Sequence, residues 1–378
     1  MANHYDVIVL GVGGMGSSTL YHLAKRGIRA CGIDRFEIAH DRGSSHGDTR
    51  IIRKAYMELP SYIPLLNRAY ELWEQLEKET GSKLLLQTGL LLAGSPESEI
   101  TQGLEDCYQK HELPHTAMKA SEVDQLYPQL HLPEDWVATF DPFGGILRVE
   151  ECVRQYASMA RRYGANLYTG EAVLSWKSEG NKVLVETERR NLTADRLILT
   201  AGSWSVRTLL DIGIEIKILR KVSLWYLGSG VENYRREVFP CFCIGIGSGS
   251  KFIYGFPVTD NWGLKVAEHN LTRNEIDNPL KVNRCLGEED EKPVLEFLGH
   301  FFPQLSPKRS KFTTCLYTMS PDENFIIDFH PEHENVVIAA GFSGHGFKFA
   351  SVIGEVLVDL AVNGETKHPI EFLKIDRF

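Results

Sequence analysis

Residues 4–10 (HYDVIVL) end in an apolar, β-branched run, the pattern of a strand buried in a parallel sheet. Residues 17–25 read as a helix closed by Arg26 and Gly27, and 28–33 as a second strand ending at Asp34. Apolar residues at 62, 65, 66, 69, 72, 73 and 76 have helical spacing, so 62–78 is predicted as a helix. Residues 84–93 look like a strand broken at Gly89. Helical stretches follow at 99–110, 121–127 and 149–163. Short strands are expected at 166–168 and 172–176, with 183–186 as a pairing partner for one of them. Residues 192–202 form a second strand-then-glycine unit that feeds a helix at 204–210. Residues 336–341 form a third, followed by a helix over 349–362. Between about 216 and 311 the texture changes to strands, glycine turns and a few helices. Three separated strand–glycine–helix units predict one sheet assembled from three chain segments. The β-rich parts between them would form a second domain, and no repeat of fixed period is visible.

The first unit carries chemistry. Gly11-Val12-Gly13-Gly14-Met15-Gly16 supplies G-x-G-x-x-G directly after a strand and before a helix. Gly11 permits the tight turn, Gly13 lets backbone approach a pyrophosphate, and Gly16 lets helix pack on strand. The helix N-terminus offers free N–H groups to phosphate. Asp34 follows about twenty residues on, where an acid accepts a ribose hydroxyl. The glycines alone would be weak evidence, but strand, helix and terminal acid together predict a dinucleotide site.

Composition bounds the rest. A chain of 378 residues is long enough for two domains, and 43% hydrophobic with 24% charged residues excludes a disordered chain. The net charge of −9 argues against nucleic acid, and no apolar run reaches the ~20 residues of a membrane span. The start MANHYDVIVL has no basic leader, and the end IDRF is no lipidation or peroxisomal tail, so a cytoplasmic protein is expected. Seven cysteines, an odd count, argue against a disulfide framework. Cys241-Phe242-Cys243 is C-x-C without a second ligand pair, so no metal is expected.

Five blocks then carry a resemblance: GVGGMGSS, SSHGDTRIIRKAY, YGFP with GLKVAEHN just after, CLYTMSPDENFIID and AAGFSGHGFKF. Spread over nearly the whole chain, they resemble the monomeric sarcosine oxidase family of flavoenzymes. That family includes N-methyltryptophan oxidase and pipecolate-oxidising sarcosine oxidases. The resemblance implies an α/β fold: a glutathione-reductase-like, Rossmann-type FAD-binding domain with an interleaved α+β substrate domain on a mixed β-sheet. The FAD-binding domain is expected over 1–83, 149–216 and 318–378, and the substrate domain over 84–148 and 217–317.

The resemblance also implies roles. Cys315 matches the cysteine bonded to the flavin's 8α-methyl carbon, so FAD would be covalent. On residue statistics alone Cys315 reads as a structural cysteine, and its CLYT and DENFIID flanks reverse that. Arg53 and Lys348 match the pair that binds the substrate carboxylate, Arg as a fork and Lys as a mobile point charge. Without its motif Arg53 would read as part of a solvated face beside Arg50 and Lys54. His46, Thr49 and Arg50 match residues lining the flavin, and Arg50 would stabilise the anionic reduced ring. Lys265 matches the residue over the flavin's other face, where oxygen is reduced; its bland reading is an ordinary strand lysine. Tyr254, His269, Tyr317 and His345 match pocket residues, although His269 reads nearly as well as a structural histidine. Gly344 falls in the AAGFSGHGFKF block and is expected at the cofactor. Glu58 lies close to a matching stretch.

The segment 239–247 (FPCFCIGIG) departs from the sarcosine-only pattern, and its small residues could enlarge the pocket. FPCF and RIIRKAY look closer to the sarcosine/pipecolate branch. The implied activity is oxidation of a secondary amino acid such as sarcosine to an imine, which hydrolyses to amino acid and formaldehyde. Oxygen takes the electrons as hydrogen peroxide. No motif supplies a side-chain base, which suits a neutral amine that activates its own adjacent C–H. A pipecolate, proline or N-methyltryptophan oxidase is the alternative substrate reading. A nicotinamide dehydrogenase, separable by absorbance, leaves Cys315 and SHGDTR unexplained. A non-catalytic flavin-binding protein would release no peroxide. The expected partners are an amino-acid substrate and oxygen, with no nucleic acid or membrane and a monomeric state.

Overall fold

The three strand–glycine–helix units meet in one eight-stranded sheet of the computed structural model, which describes residues 3–56, 58–246 and 251–378. The strand Asn3–Leu10 lies between Ala30–Ile33 and Asn191–Leu199, parallel to both. His333–Ala340 runs parallel to Asn191–Leu199, and Asn166–Tyr168 extends the opposite edge. The inner strands are buried on both sides over residues 7–9, 30–33, 197–199 and 336–340, which is why they read as unbroken apolar runs, whereas the edge strand Asn166–Tyr168 is only partly buried. Lys182–Thr187 pairs antiparallel with both Val173–Glu179 and Asn191–Leu199, as expected for a partner of the 172–176 strand.

The first helix begins at Gly14, three residues before the expected start, because the last glycines of the motif form its first turn. A Cβ at Gly16 would stand 1.8 Å from the Gly11 carbonyl oxygen, so this position is glycine for close packing. The helix at 204–210 is a 3-10 turn, Gly202–Ser205, followed by Val206–Asp211.

A second, nine-stranded sheet is mixed. Its longest pair, Lys217–Leu227 against the edge strand Lys308–Met319, lies largely where the sequence showed texture without bounds. Leu264–Glu268, Phe252–Phe256, Cys241–Gly245 and Leu90–Gly94 continue it, the last two being parallel. The break expected at Gly89 is a change of sheet. Leu85–Gln87 joins a small sheet with Thr49–Ile52 and Gly145–Arg148, while Leu90–Gly94 enters the large one. Gly89 has φ +73°, and a Cβ there would strike the Phe140 ring at 2.3 Å.

We propose the division into 1–83, 149–216 and 318–378 against 84–148 and 217–317 as two domains. The distribution of the two large sheets between these segments supports it, and the three-stranded sheet draws on both sets. Among the described residues no helix is long and apolar enough to cross a membrane.

Candidate active site

A cavity of about 680 Å³ runs from Gly11, Gly13 and Asp34 at one end to Arg53 and Lys348 at the other. At the first end Gly11 holds φ +89°, and a Cβ on it would meet the Thr200 carbonyl oxygen at 2.6 Å. Gly13 differs: the nearest atom to a Cβ there would be Ser45 Oγ at 3.9 Å. Protein packing therefore does not require glycine at 13, and the clear space suits a group that approaches the backbone. The N-cap residue of the helix that begins at Gly14 is Gly13, which has no side chain to cap it, and Ser45 Oγ accepts the Gly14 N–H at 3.1 Å. Asp34 accepts the Val12 N–H at 2.7 Å and the Phe36 N–H at 2.9 Å. Burial raises its pKa, against those hydrogen bonds and nearby His40.

Ser203, Trp204 and Ser205, on the 3-10 turn after the second strand–glycine unit, also line the cavity. Ser203 Oγ, Trp204 Nε1 and Ser205 Oγ are buried without a hydrogen-bond partner. Such atoms cost about 1–3 kcal/mol each when left unpaired, so this wall is built for a polar ligand. The sequence reading located the unit but not these residues. The only signal for them was the strand–glycine turn itself.

In the middle, Arg50 lines the cavity, whereas Cys315, His46, Thr49 and Lys265 are buried and are not among its lining residues. Arg50 Nη2 donates to the Ser44 carbonyl at 2.7 Å and to Cys315 Sγ at 3.3 Å. Cys315 faces Lys221 across the long strand pair and is buried. Burial pushes its thiol up, but the Arg50 guanidinium, His46 and Lys265 outweigh that and bring it down to about 7. His46 bonds the Gly43 carbonyl at 3.1 Å. The Lys265 ammonium donates to the carbonyls of Gly47 at 2.6 Å and Thr49 at 3.1 Å, and to Thr49 Oγ1 at 3.1 Å. It lies 4.9 Å from the Trp225 ring centre and 4.8 Å from that of Phe256. Burial, then Arg50, hold its pKa well below the usual lysine value.

At the far end Arg53 and Lys348, distant in sequence, lie over the same Tyr56 ring at 4.7 and 5.4 Å. Arg53 donates to the Ala55 carbonyl at 3.0 Å and pairs with Glu58. Burial alone would raise the Glu58 carboxyl, but Arg53 first, then His345 and Lys348, hold it at about 2. Lys348 donates to the His345 carbonyl at 2.7 Å. Burial and Arg53 bring its ammonium down to about 7. Burial likewise lowers His345 to about 4 and His269 to about 3, so both rings are neutral at pH 7. Tyr317 O–H stands 3.4 Å from His269 Nδ1 and 3.5 Å from Tyr254 O–H. Gly344, at φ +81°, presses on the Tyr317 ring, which a Cβ would strike at 2.4 Å.

A family model described as "FAD dependent oxidoreductase" (DAO) matches residues 6–360. The chain belongs to the DAO family. Among curated relatives, monomeric sarcosine oxidase of Bacillus sp. (strain B-0618) is 40% identical over 100% of this chain and 97% of its own length. Peroxisomal sarcosine oxidase of Homo sapiens is 35% identical over 99% and 96%. N-methyl-L-tryptophan oxidase of Yersinia pestis (strain Pestoides F) is 33% identical over 99% of each chain. Among solved structures, NikD, an unusual amino acid oxidase, has a TM-score of 0.85 at 22% identity, covering 98% and 97%. Glycine oxidase from Geobacillus kaustophilus has a TM-score of 0.83 at 19% identity, covering 100% and 99%. These two likenesses show the fold.

The DAO assignment makes the cofactor FAD, and the residues present fit it. The open backbone at Gly13 and the acceptor Asp34 suit the dinucleotide, as do the unpartnered atoms of Ser203, Trp204 and Ser205. Arg53, Lys348, Tyr254, His269, Tyr317 and His345 come together with Gly344 at the other end of the DAO cavity, with Arg50 between. The sequence reading missed Tyr56, although it lies within the RIIRKAY block, and gave no partner to Glu58. Phe252 was missed as well; it stacks on His269 at 4.5 Å and had no motif to mark it. Of the 239–247 segment, Cys243 lines the cavity, and Gly247 lies outside the described residues.

Proposed function

We propose that this chain oxidises a secondary amino acid, sarcosine or another N-methyl amino acid, with oxygen as electron acceptor. The observation that carries the reading is the Arg53 and Lys348 pair, set over one Tyr56 ring in the cavity that begins at Gly13 and Asp34. The relatives' names support the same substrate class. Arg53 and Lys348 would hold the substrate carboxylate. Among the described residues, Arg53 has N–H donors left beyond its bonds to Ala55 and Glu58. Two cations beside the amine favour its neutral form, which is the form that can be oxidised. His269 and His345, being neutral, add no further positive charge. Tyr254, Tyr317 and Phe252 would exclude water around the reacting C–N bond.

FAD supplies the two-electron acceptor in this chemistry. In balance, the amine gives up two electrons and two protons to become an imine. Water then splits the imine into a primary amine and formaldehyde. Oxygen takes two electrons and two protons to become hydrogen peroxide. Peroxide release from the isolated holoenzyme tests the reading on a panel of sarcosine, pipecolate, proline and N-methyltryptophan. Peroxide with none of the four would overturn the substrate class; a preference for pipecolate or proline would select the cyclic alternative. A cytoplasmic monomer belongs to the same proposal, supported by the acidic composition and the monomeric relatives.

Covalent attachment through Cys315 is a further part of the proposal. A thiol is nucleophilic as its thiolate, and Arg50, at 3.3 Å from Sγ, favours that form near neutral pH. Acid-precipitated protein is expected to stay yellow, and Cys315→Ala to lose its colour to the supernatant. With apo-protein and added FAD, attachment should speed up as pH rises through about 7, where the thiolate becomes dominant. Free colour after precipitation of the unmutated protein would refute the link.

A further inference from the structure

The Lys265 ammonium is buried and, among the described residues, reaches no carboxylate directly. All three of its acceptors belong to one turn, Gly47-Asp48-Thr49. That turn is unusual in its backbone: Gly47 has φ +89°, and Asp48 has φ +67° without being glycine. A non-glycine residue in the left-handed region costs about 1–2 kcal/mol, so something else must hold it.

Two contacts do so. The Glu150 carboxylate, in the first turn of the helix Val149–Arg162, accepts the Gly47 N–H at 2.7 Å and the Asp48 N–H at 3.1 Å. The Asp48 carboxylate pairs with Lys311. The Lys311 ammonium lies 4.7 Å from the centre of the Trp225 ring that also carries Lys265. The Asp48 carbonyl takes the Val149 N–H at 3.1 Å, tying the turn to the same helix.

We infer that Asp48 and Glu150 are positioning residues for Lys265, fixing the turn that receives its ammonium and setting two carboxylates against its charge. The inference rests on the proposed role of Lys265 toward oxygen. The charged and titratable groups facing Lys265 are Arg50, which lowers its pKa after burial, and Asp48, Glu150 and Cys315, which raise it. Lys311 lies over the same Trp225 ring and pairs with the Asp48 carboxylate. Without the two carboxylates Lys265 would lose both its place and much of the support for its charge.

The test uses the holoenzyme and two shape-preserving variants. Asp48→Asn retains a residue that tolerates a left-handed backbone, and Glu150→Gln retains one acceptor for the turn. Stopped-flow absorbance should show anaerobic reduction by amine unchanged within about twofold and reoxidation slowed about five- to twentyfold. The fall of reoxidation with rising pH should move to lower pH by about one unit, since a protonated Lys265 is harder to keep. A second readout needs no turnover. In a urea-unfolding cycle of Asp48→Asn with Lys265→Met, the unfolding constants should depart from additivity by about five- to thirtyfold. Should Asp48→Asn fail to fold, Glu150→Gln carries both measurements. Additive stabilities with an unshifted pH profile would overturn the inference. Fast reoxidation in Lys265→Met would instead overturn the oxygen-side reading, while the unfolding cycle still decides whether Asp48 and Glu150 position Lys265.

Discussion

Lys265→Met is expected to slow reoxidation by oxygen by roughly 10²-fold or more, while reduction by amine stays nearly unchanged. The aliphatic stem runs past Trp225 and Phe256, and methionine keeps most of that bulk. What disappears is one buried positive charge, held by the turn oxygens. A fixed charge in a water-excluded site stabilises developing negative charge far more than it would in water. The two half-reactions separate cleanly by stopped-flow absorbance. The pH sign follows from the same group. Lys265 helps only when protonated, so reoxidation of the unmutated enzyme should fall as pH rises, and Lys265→Met should lose that dependence. Collapsed reduction with fast reoxidation would make Lys265 a substrate-side or structural residue. Some stability will be lost as well, because the Gly47 and Thr49 carbonyls lose a donor.

Arg53→Met and Lys348→Met should each weaken binding of a carboxylate substrate by about ten- to a hundredfold, roughly 1.5–3 kcal/mol. An analogue lacking the carboxylate should lose much less, and equal losses for the two compounds would show that the residues only support the fold. The two variants should differ in their pH behaviour. Lys348 sits at about 7 in the free site because burial and Arg53 disfavour its charge. Its ammonium is therefore present below that pH and lost above it, and carboxylate binding should tighten as pH falls through 7. Lys348→Met abolishes that tightening. Arg53 stays charged throughout, so Arg53→Met lowers affinity at every pH and also frees the Glu58 carboxyl to rise from about 2.

The three strand–glycine units were legible because a strand buried on both faces must be apolar at every position, and a dinucleotide turn must be glycine at fixed spacing. The break at Gly89 was legible for a similar reason, since φ +73° favours glycine. The change of sheet behind it was not, because strand partners are set by residues far along the chain. The pair Lys217–Leu227 and Lys308–Met319 was hidden for the same reason: each half is ordinary β-sequence, and their register is decided only when they meet.

The site divides in the same way. Family blocks pointed to Arg53, Lys348, Lys265, Cys315 and the aromatic wall, since these residue types recur in recognisable words of sequence. Nothing local indicated that Tyr56 underlies both cations, that Glu58 is the counter-charge of Arg53, or that Ser203, Trp204 and Ser205 line the cavity.

By itself the sequence determined the fold class, the dinucleotide turn and the chemical types of the site residues, because backbone sterics, burial period and motif spacing are local properties. Only the tertiary structure decided which charges face one another. Burial and neighbours bring Cys315 and Lys348 both to about 7, from opposite directions. That convergence is electrostatic: it depends on distances between segments that meet only when the two large sheets close around one cavity.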